Sequence, residues 1–341
     1  MTGTQTIVVN KKNNITLIKF LAAIFITWSH LGVMFPDGFK GLITGGAIGD
    51  GLFFFCSGYT LFLGRKDGFF NWYKRRVSRI YPTIIMWALL SSVFFLWEWN
   101  VTDIITTPRY WFIPCIMVYY AIFYIIRSIV EYLNKTKGVD MRKSLIGIFA
   151  FTAIVITICS FFVLDMTHSV MYAQVSFMRI YYFIFMLLGA CVSVCDPNSR
   201  TKESKWMYLG FTVVFLVLYY ICMAIYKIGP WWCQFQMISL VPLLFVIYYL
   251  HKLCGCTVMK SLMDKRYIGW IIILVSNLTL EIYMVQYALF TDRFNNLWPL
   301  NIICVYLAIF MVAFFLKISS RLFLQIFSKE TINWRELIEI K

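Results

Sequence analysis

The chain alternates long apolar runs with short connections that are polar and mostly basic. Three of the runs read ITLIKFLAAIFITWSHLGVMF, SLIGIFAFTAIVITICSFFVL and NIICVYLAIFMVAFFLKI. A helix rises about 1.5 Å per residue, so a run of about 20 residues crosses a hydrocarbon core of roughly 30 Å. A transmembrane β-barrel would instead have short segments of alternating polarity. Since a helix satisfies its own backbone hydrogen bonds inside lipid, the pattern predicts an all-α integral membrane protein.

We predict about ten transmembrane helices. The second is weakened by Asp50 and several glycines, and the eighth is short. Pro82 and Pro114 are predicted in the early turns of the third and fourth spans, where proline is tolerated. The predicted spans are residues 15–35, 45–63, 80–97, 111–131, 145–163, 177–194, 207–226, 235–250, 270–290 and 302–324.

Three regions are predicted along the chain: an N-terminal tail (1–14), a membrane domain (15–324) and a C-terminal tail (325–341). We expect no attached soluble domain. The first apolar run is longer than the core of a cleaved signal peptide, and no small-residue cleavage site follows it. We therefore expect this run to remain as the first span.

The composition agrees with a membrane protein, and the charges predict its orientation. The residues are 61% hydrophobic and 14% charged, whereas soluble domains are about 25% charged. Of the 31 Lys and Arg residues, 26 belong to one set of alternating connections and tails together with the adjoining parts of the spans, and five to the other set, near residues 40, 109, 179, 227 and 293. Basic residues concentrate on the cytoplasmic side, so both termini are predicted to be cytoplasmic.

Cysteine and histidine give no sign of a metal site or a disulfide framework. Most of the ten cysteines lie in predicted helices, where they behave as small apolar residues. The three histidines, His30, His168 and His251, are far apart and lack metal-ligand spacing. We expect no bound metal.

Lys19 and His30 are unusual because they lie inside the apolar first run. Eleven residues of helix turn through about 1100°, which is close to three full turns, so both side chains occupy one face, about 16 Å apart along the axis. Lys19 could simply extend its ammonium to the cytoplasmic interface. His30 could be a structural core residue, or it could accept a proton in catalysis, for which imidazole is well suited near pH 7.

The ninth predicted span contains Glu281 in its middle, and Gln286 follows five residues later. A carboxylate inside a membrane must be protonated, paired or in contact with water, so it is a functional candidate by default. A structural polar contact is the alternative. Asp50 raises the same question in the glycine-rich second span, where close helix packing would account for the glycines.

The connection RKDGFFNWYKRRVSRIYP (65–82) is the most basic in the chain. Its charges help to set the orientation. Arg76 and Arg79 are also three residues apart at the start of the third span, so they share a helix face. Two such guanidinium groups are suited to a phosphate-bearing ligand. Trp111, at the start of the fourth span, has the position of an ordinary interfacial tryptophan.

The order of these segments carries more information than any one of them. A basic residue and, after ten intervening residues, a histidine are followed by GLFFFCSGY, RRVSRIYP, YWFIP and TLEIYMVQ. In this order the chain resembles the membrane-bound acyltransferase-3 family, bacterial enzymes that O-acylate surface glycans. The resemblance covers nearly the whole chain and implies the same ten-helix core.

The resemblance implies roles for particular residues. His30 matches the essential histidine of the family, and Lys19 matches a basic residue that is usually arginine. Arg76 and Arg79 match an Arg-x-x-Arg pair that is thought to hold the phosphates of acyl-CoA. Trp111 is also assigned to the donor site.

Further matches lie in the second and ninth spans. Ser57 belongs to a Ser-Gly pair, which we assign to the donor site, and Glu281 matches a frequent glutamate. Two departures stand out. The second-span motif usually reads Gly-Val-Asp, whereas here Asp50 is displaced by one residue. The ninth-span motif often ends in histidine, where this chain has Gln286.

The implied function is O-acyl transfer, most commonly of acetyl. Acetyl-CoA would enter from the cytoplasm, and the acceptor would be a hydroxyl of an extracytoplasmic polysaccharide or lipid-linked glycan. His30 would act as general base or form an acyl-histidine, with Glu281 or Asp50 orienting its ring. The location would be the bacterial inner membrane.

Two other hypotheses stay open at this point. Intramembrane His and Glu would also suit a proton-coupled transporter or a glycolipid flippase, although no repeat is visible in the sequence. A non-catalytic partner in a glycan-assembly complex is the third possibility, and such a chain would be expected to lose His30 or the arginine pair. The sequence leaves the acceptor, the acyl group and the oligomeric state open.

Overall fold

A computed structural model describes residues 3–163, 175–195, 204–327 and 333–338, and their side chains from residue 14 onward except that of Val175. Within these ranges every regular element is a helix, and there is no strand. His168, two basic residues of the 200–205 connection and parts of both predicted tails lie outside the described residues. The predicted all-α membrane fold is confirmed.

The described ranges contain fifteen α-helices and five 3-10 helices of three to ten residues, the longest being Pro230–Ser239. The α-helices are α1 (Gly3–Ser29), α2 (Gly46–Leu63), α3 (Phe69–Phe95), α4 (Val101–Thr106), α5 (Phe112–Lys137), α6 (Met141–Val163), α7 (Val175–Tyr181), α8 (Phe183–Cys195), α9 (Lys205–Ala224), α10 (Leu240–Cys254), α11 (Thr257–Asp264), α12 (Arg266–Asn277), α13 (Thr279–Leu289), α14 (Leu300–Ile326) and α15 (Trp334–Ile338).

Eight helical segments in the described ranges are long and apolar enough to cross a bilayer. The pair α12 and α13 forms a ninth if its two halves count as one span, and they meet at a bend of 78°. The first predicted span corresponds to Asn14–Ser29, an apolar stretch of α1 that is shorter than the others. Each of the ten predicted spans therefore overlaps helical residues, and the ninth covers the bent pair α12 and α13.

Several boundaries differ from the predicted ones. The first α-helix ends at Ser29 and continues as a 3-10 turn, Leu31–Met34. The third span begins at Phe69 rather than at residue 80, so the basic segment is helical and Pro82 lies inside α3. Charged residues ended the predicted span because they are not apolar, but arginine is a good helix former, so the helix extends through them.

The chain divides into two compact units. The first comprises residues Met1–Ile18, Asp50–Lys66 and Val118–Lys265. In it, α2 and α8 cross at very close range. A Cβ atom on Gly58 would lie 1.8 Å from the Met186 carbonyl oxygen, and one on Gly189 would lie 2.1 Å from the Phe55 carbonyl oxygen. Helix packing therefore accounts for at least one glycine of the second span.

A buried guanidinium fixes the end of α2 within the same unit. Arg127 on α5 donates from Nη1 to the carbonyl oxygens of Leu61 (2.7 Å) and Gly64 (2.9 Å). Its Nε donates to Glu131 (2.9 Å), which also binds Lys66 (2.7 Å). These contacts satisfy carbonyls that the last turn of a helix leaves unpaired.

The second unit comprises Lys19–Gly49, Asp67–Met117 and Arg266–Lys341. Its core is formed where α3, α13 and α14 pack together. The bend between α12 and α13 falls at Leu278, whose backbone leaves the helical conformation. The bend starts a new helix in the middle of an apolar segment, and Glu281 lies in its first turn, where a negative charge is favourable.

Candidate functional site

His30, the histidine predicted to be catalytic, belongs to the second unit. It directly follows the last residue of α1, and its backbone N–H donates to the Thr27 carbonyl oxygen (3.1 Å). The ring nitrogen Nε2 lies 2.8 Å from the hydroxyl oxygen of Tyr287 on α13. The two ring centroids are 5.0 Å apart. His30 is thus joined to a helix near the other end of the chain.

A buried hydrogen-bond chain holds α13 in place. Trp87 on α3 donates from Nε1 to the hydroxyl oxygen of Tyr110 (2.8 Å), and that hydroxyl donates to the carbonyl oxygen of Met284 on α13 (2.8 Å). The Tyr110 ring also lies 5.9 Å from that of Tyr287. The helix that carries the partner of His30 is therefore fixed by side chains from two other segments.

Glu281 has a different set of partners. Its Oε1 accepts from Nζ of Lys317 on α14 (2.8 Å) and from the hydroxyl of Thr83 on α3 (3.4 Å). Glu281 is 1% exposed, and the Lys317 side chain is 28% exposed. The ion pair and the Thr83 contact together join three helices of the second unit, and Lys317 supplies the counter-charge that a carboxylate in this setting requires.

Gln286 is fully buried on α13. Neither atom of its side-chain amide has a hydrogen-bond partner among the described residues, and the second carboxylate oxygen of Glu281 lacks one as well. A buried amide without a partner costs about 1–3 kcal/mol per group, so this position is not optimised for stability alone.

Lys19 lies on α1, whereas His30 is the first residue after this helix, so the helix predicted to carry both side chains ends one residue before His30. Lys19 is half-buried, and within the described ranges it has no ion pair or side-chain hydrogen bond. An ammonium without a partner can extend to the membrane interface or bind an anionic ligand. The surroundings of Lys19 are compatible with both predicted roles.

Arg76 and Arg79 both lie on α3, three residues apart, as predicted. The Arg76 guanidinium lies 4.1 Å from the centre of the Trp72 ring, and its Nη1 donates to the Trp72 carbonyl oxygen (3.1 Å). Arg79 is exposed and forms no ion pair within the described ranges. The neighbouring Arg75 is paired with Asp67 instead. Arg75 is therefore neutralised by a carboxylate, whereas no carboxylate partner is found for Arg79 within the described ranges.

Three further residues predicted for the site are Trp111, Asp50 and Ser57. Trp111 is half-buried beside Phe112, with ring centroids 6.0 Å apart. Asp50 and Ser57 are half-buried on α2 in the first unit. Their predicted roles remain predictions.

Sequence reasoning missed Tyr287 and Lys317. Tyr287 gave no signal, because a tyrosine in an apolar helix is ordinary. Lys317 did give one, since a lysine lies between apolar stretches of the last predicted span, and intramembrane charges are rarely without a partner. In the described part of the chain, no group of three His, Cys, Asp or Glu residues could hold a metal ion.

These features define a multi-pass membrane protein. Its second unit contains a candidate histidine, a buried ion pair between two helices, and two arginines that share one face of α3. A family model described as an acyltransferase domain matches residues 12–318, so the chain belongs to the acyltransferase-3 family and is a membrane acyltransferase. Comparisons with curated proteins and with solved structures gave no match.

Proposed function

We propose that this protein transfers an acyl group, most commonly acetyl, from cytoplasmic acyl-CoA to a hydroxyl of an extracytoplasmic surface polysaccharide or lipid-linked glycan. The observation that carries the proposal is the fixed position of the His30 ring at the end of α1, within an acyltransferase family domain. The proposed location is the bacterial inner membrane, with both termini in the cytoplasm.

The donor end of the site is assigned to cationic side chains. Arg76 and Arg79 present two guanidinium groups on one face of α3, and Arg79 has no carboxylate partner within the described ranges. Guanidinium groups bind phosphates through paired hydrogen bonds, so these residues suit the phosphates of acyl-CoA. Lys19 and Trp111 are proposed to complete this end, and the donor role of Ser57, which lies in the first unit, stays a prediction.

His30 is proposed to act as the general base. Its ring takes the proton of the acceptor hydroxyl as that oxygen bonds to the acyl carbon, the carbon–sulfur bond breaks, and His30 returns the proton to the departing thiolate. The products are an acyl ester and free CoA, so atoms and charge balance. A covalent acyl-histidine route would use the same residue.

Glu281 and Asp50 are the two carboxylates predicted to orient the His30 ring. Glu281 contacts Lys317 and Thr83, and it supports the site by joining α13 to α3 and α14. Asp50 lies on α2 in the first unit, and its predicted role in orienting the imidazole stays a prediction.

A transporter is the alternative function. Transporters that use broken helices usually carry them in corresponding positions of two repeats. In the described ranges one bent helix pair is present, at Leu278. This observation favours the enzyme, because no matching second break accompanies it there.

The test uses the purified full-length chain and labelled acetyl-CoA in the presence of envelope glycan from the source cell. We expect label to enter the glycan fraction, and His30→Ala to lower this transfer at least about a hundredfold, since a general base contributes about 10²–10⁴ in rate. Transfer by His30→Ala at the level of the unchanged protein would overturn the proposed role.

A matched pair of variants tests the donor end. Arg79→Ala should raise KM for acetyl-CoA about tenfold or more, because removing a charge-assisted contact costs about 1.5–3 kcal/mol. Arg75→Ala, which removes the arginine already paired with Asp67, should change KM far less. Equal effects of both substitutions would contradict the assignment.

A further inference from the structure

We infer that Tyr287 is a positioning residue for His30: its hydroxyl oxygen accepts a hydrogen bond from Nε2–H and thereby directs the Nδ1 lone pair to the acceptor hydroxyl. The inference rests on the proposed role of His30 as general base and deepens it. It assigns a function to a residue that no sequence motif singled out.

The first argument is the contact itself. The 2.8 Å separation between Nε2 and the hydroxyl oxygen is that of a good hydrogen bond, and the 5.0 Å centroid separation shows that the rings are also in van der Waals contact. No other hydrogen bond to the His30 ring is present within the described ranges. Tyr287 therefore fixes the rotation of the imidazole ring and occupies its Nε2 atom.

The second argument is that Tyr287, although 36% exposed, packs on one side against a ring that is itself held in place. Its ring lies 5.9 Å from that of Tyr110 and 6.1 Å from that of Phe290. Tyr110 in turn binds the Met284 carbonyl oxygen and accepts from Trp87, and all of these atoms are buried. A positioning group must be restrained to orient a base, and the ring contacts with Tyr110 and Phe290 restrain Tyr287 on its packed side.

The third argument concerns the tautomer. A neutral imidazole carries its proton on one nitrogen, and the other nitrogen has the lone pair. A general base needs that lone pair toward the substrate. Because Nε2 is engaged with Tyr287, the nitrogen available to a substrate is Nδ1, and Nδ1 has a lone pair when Nε2 carries the proton. The phenol oxygen then accepts, in the way that a carboxylate orients histidine in hydrolases.

The test compares Tyr287→Phe with Tyr283→Phe. Both keep the aromatic ring, and Tyr283 also packs against Tyr110, so it is a control for removal of a phenol from the same helix. We expect Tyr287→Phe to lower kcat about tenfold to a hundredfold, the loss typical of a misplaced reacting group. Its KM for acetyl-CoA and its melting temperature should stay near those of the unchanged protein, and Tyr283→Phe should keep kcat within about threefold.

A double substitution separates this inference from the proposed function. In the His30→Ala background, Tyr287→Phe should have no further effect, because a residue that acts through His30 has nothing left to orient. A kcat for Tyr287→Phe within about twofold of the unchanged protein, alongside an inactive His30→Ala, would overturn the inference alone. Full activity of His30→Ala would overturn the proposed base and this inference together.

Discussion

The contacts of the two candidate residues His30 and Glu281 join segments that are far apart in sequence. The partner of His30 is 257 positions away in the chain, and the Lys317 partner of Glu281 is 36 positions away. Both contacts lie in the second unit. Sequence could mark His30 and Glu281 because polar groups in apolar runs are costly, but it could not say which side chain satisfies each one.

At this scale we predict a test of the ion pair. Lys317→Met removes the counter-charge and leaves a carboxylate that is 1% exposed without its partner. The expected destabilisation is about 2 kcal/mol, below the value of about 3–5 kcal/mol for a fully buried pair because Lys317 reaches solvent. A lowered melting temperature in detergent would record it.

The matched control is a double substitution, Lys317→Met with Glu281→Gln. It should recover most of the lost stability, because it removes the buried charge together with its partner. If the double variant melts as low as Lys317→Met alone, the loss comes from packing around Lys317 and the ion pair is not its cause.

Among the helices, the crossing of α2 and α8 depends on glycine. The carbonyl of Met186 occupies the space that a side chain on Gly58 would need, and Gly189 meets α2 in the same way. The sequence indicated that the glycines of the second span permit close approach, and the structure identifies the helix that approaches. Periodicity along one helix carries no information about which other helix packs on it.

The corresponding prediction is that Gly58→Ala destabilises the first unit. The added Cβ would lie 1.8 Å from the Met186 oxygen, so α2 and α8 must separate. Overpacking of this kind costs about 1–3 kcal/mol or more. The measurement is the melting temperature, with the fraction of monodisperse protein after extraction as a second readout.

Gly210→Ala on α9 serves as the comparison, since a Cβ there meets nothing within 4 Å. Alanine is favoured over glycine in a helix by about 1 kcal/mol, so this variant should be as stable as the unchanged chain or slightly more so. Equal losses in both variants would mean that the close crossing is not responsible.

For the whole molecule, the strongest regularity is the sorting of charge. Of the 31 basic residues, 26 belong to the connections and tails predicted to be cytoplasmic or to the adjoining parts of the spans. This prediction of orientation depends only on the order of spans and connections, so it survives the shifts in helix boundaries described above. In the structure, the basic residues of the 65–82 connection from Lys74 onward form the first turns of α3, at the same end of the predicted span.

Reporter fusions test the orientation. Alkaline phosphatase fused after Gly229 should be active, because that connection carries few basic residues and is predicted to be extracytoplasmic. The same reporter fused after Gly255 should be inactive, while green fluorescent protein at that point should fluoresce. The reverse pattern would invert the predicted topology and, with it, the proposed cytoplasmic entry of the donor.

The sequence by itself determined the class of fold, the approximate position of every span and the family. Runs of about 20 apolar residues have few alternatives to a transmembrane helix, so this information is local. It also singled out His30, Arg76, Arg79 and Glu281, because charge and imidazole are conspicuous in apolar surroundings.

The tertiary structure alone determined which side chains contact each other. The break at Leu278 lies in a segment that reads as one continuous apolar span, and the partners Tyr287 and Lys317 come from segments distant in the chain. Such pairings arise from the packing of several helices at once, and a one-dimensional pattern does not record them. The residues that carry the chemistry were therefore visible in the sequence, whereas the residues that hold them in position were not.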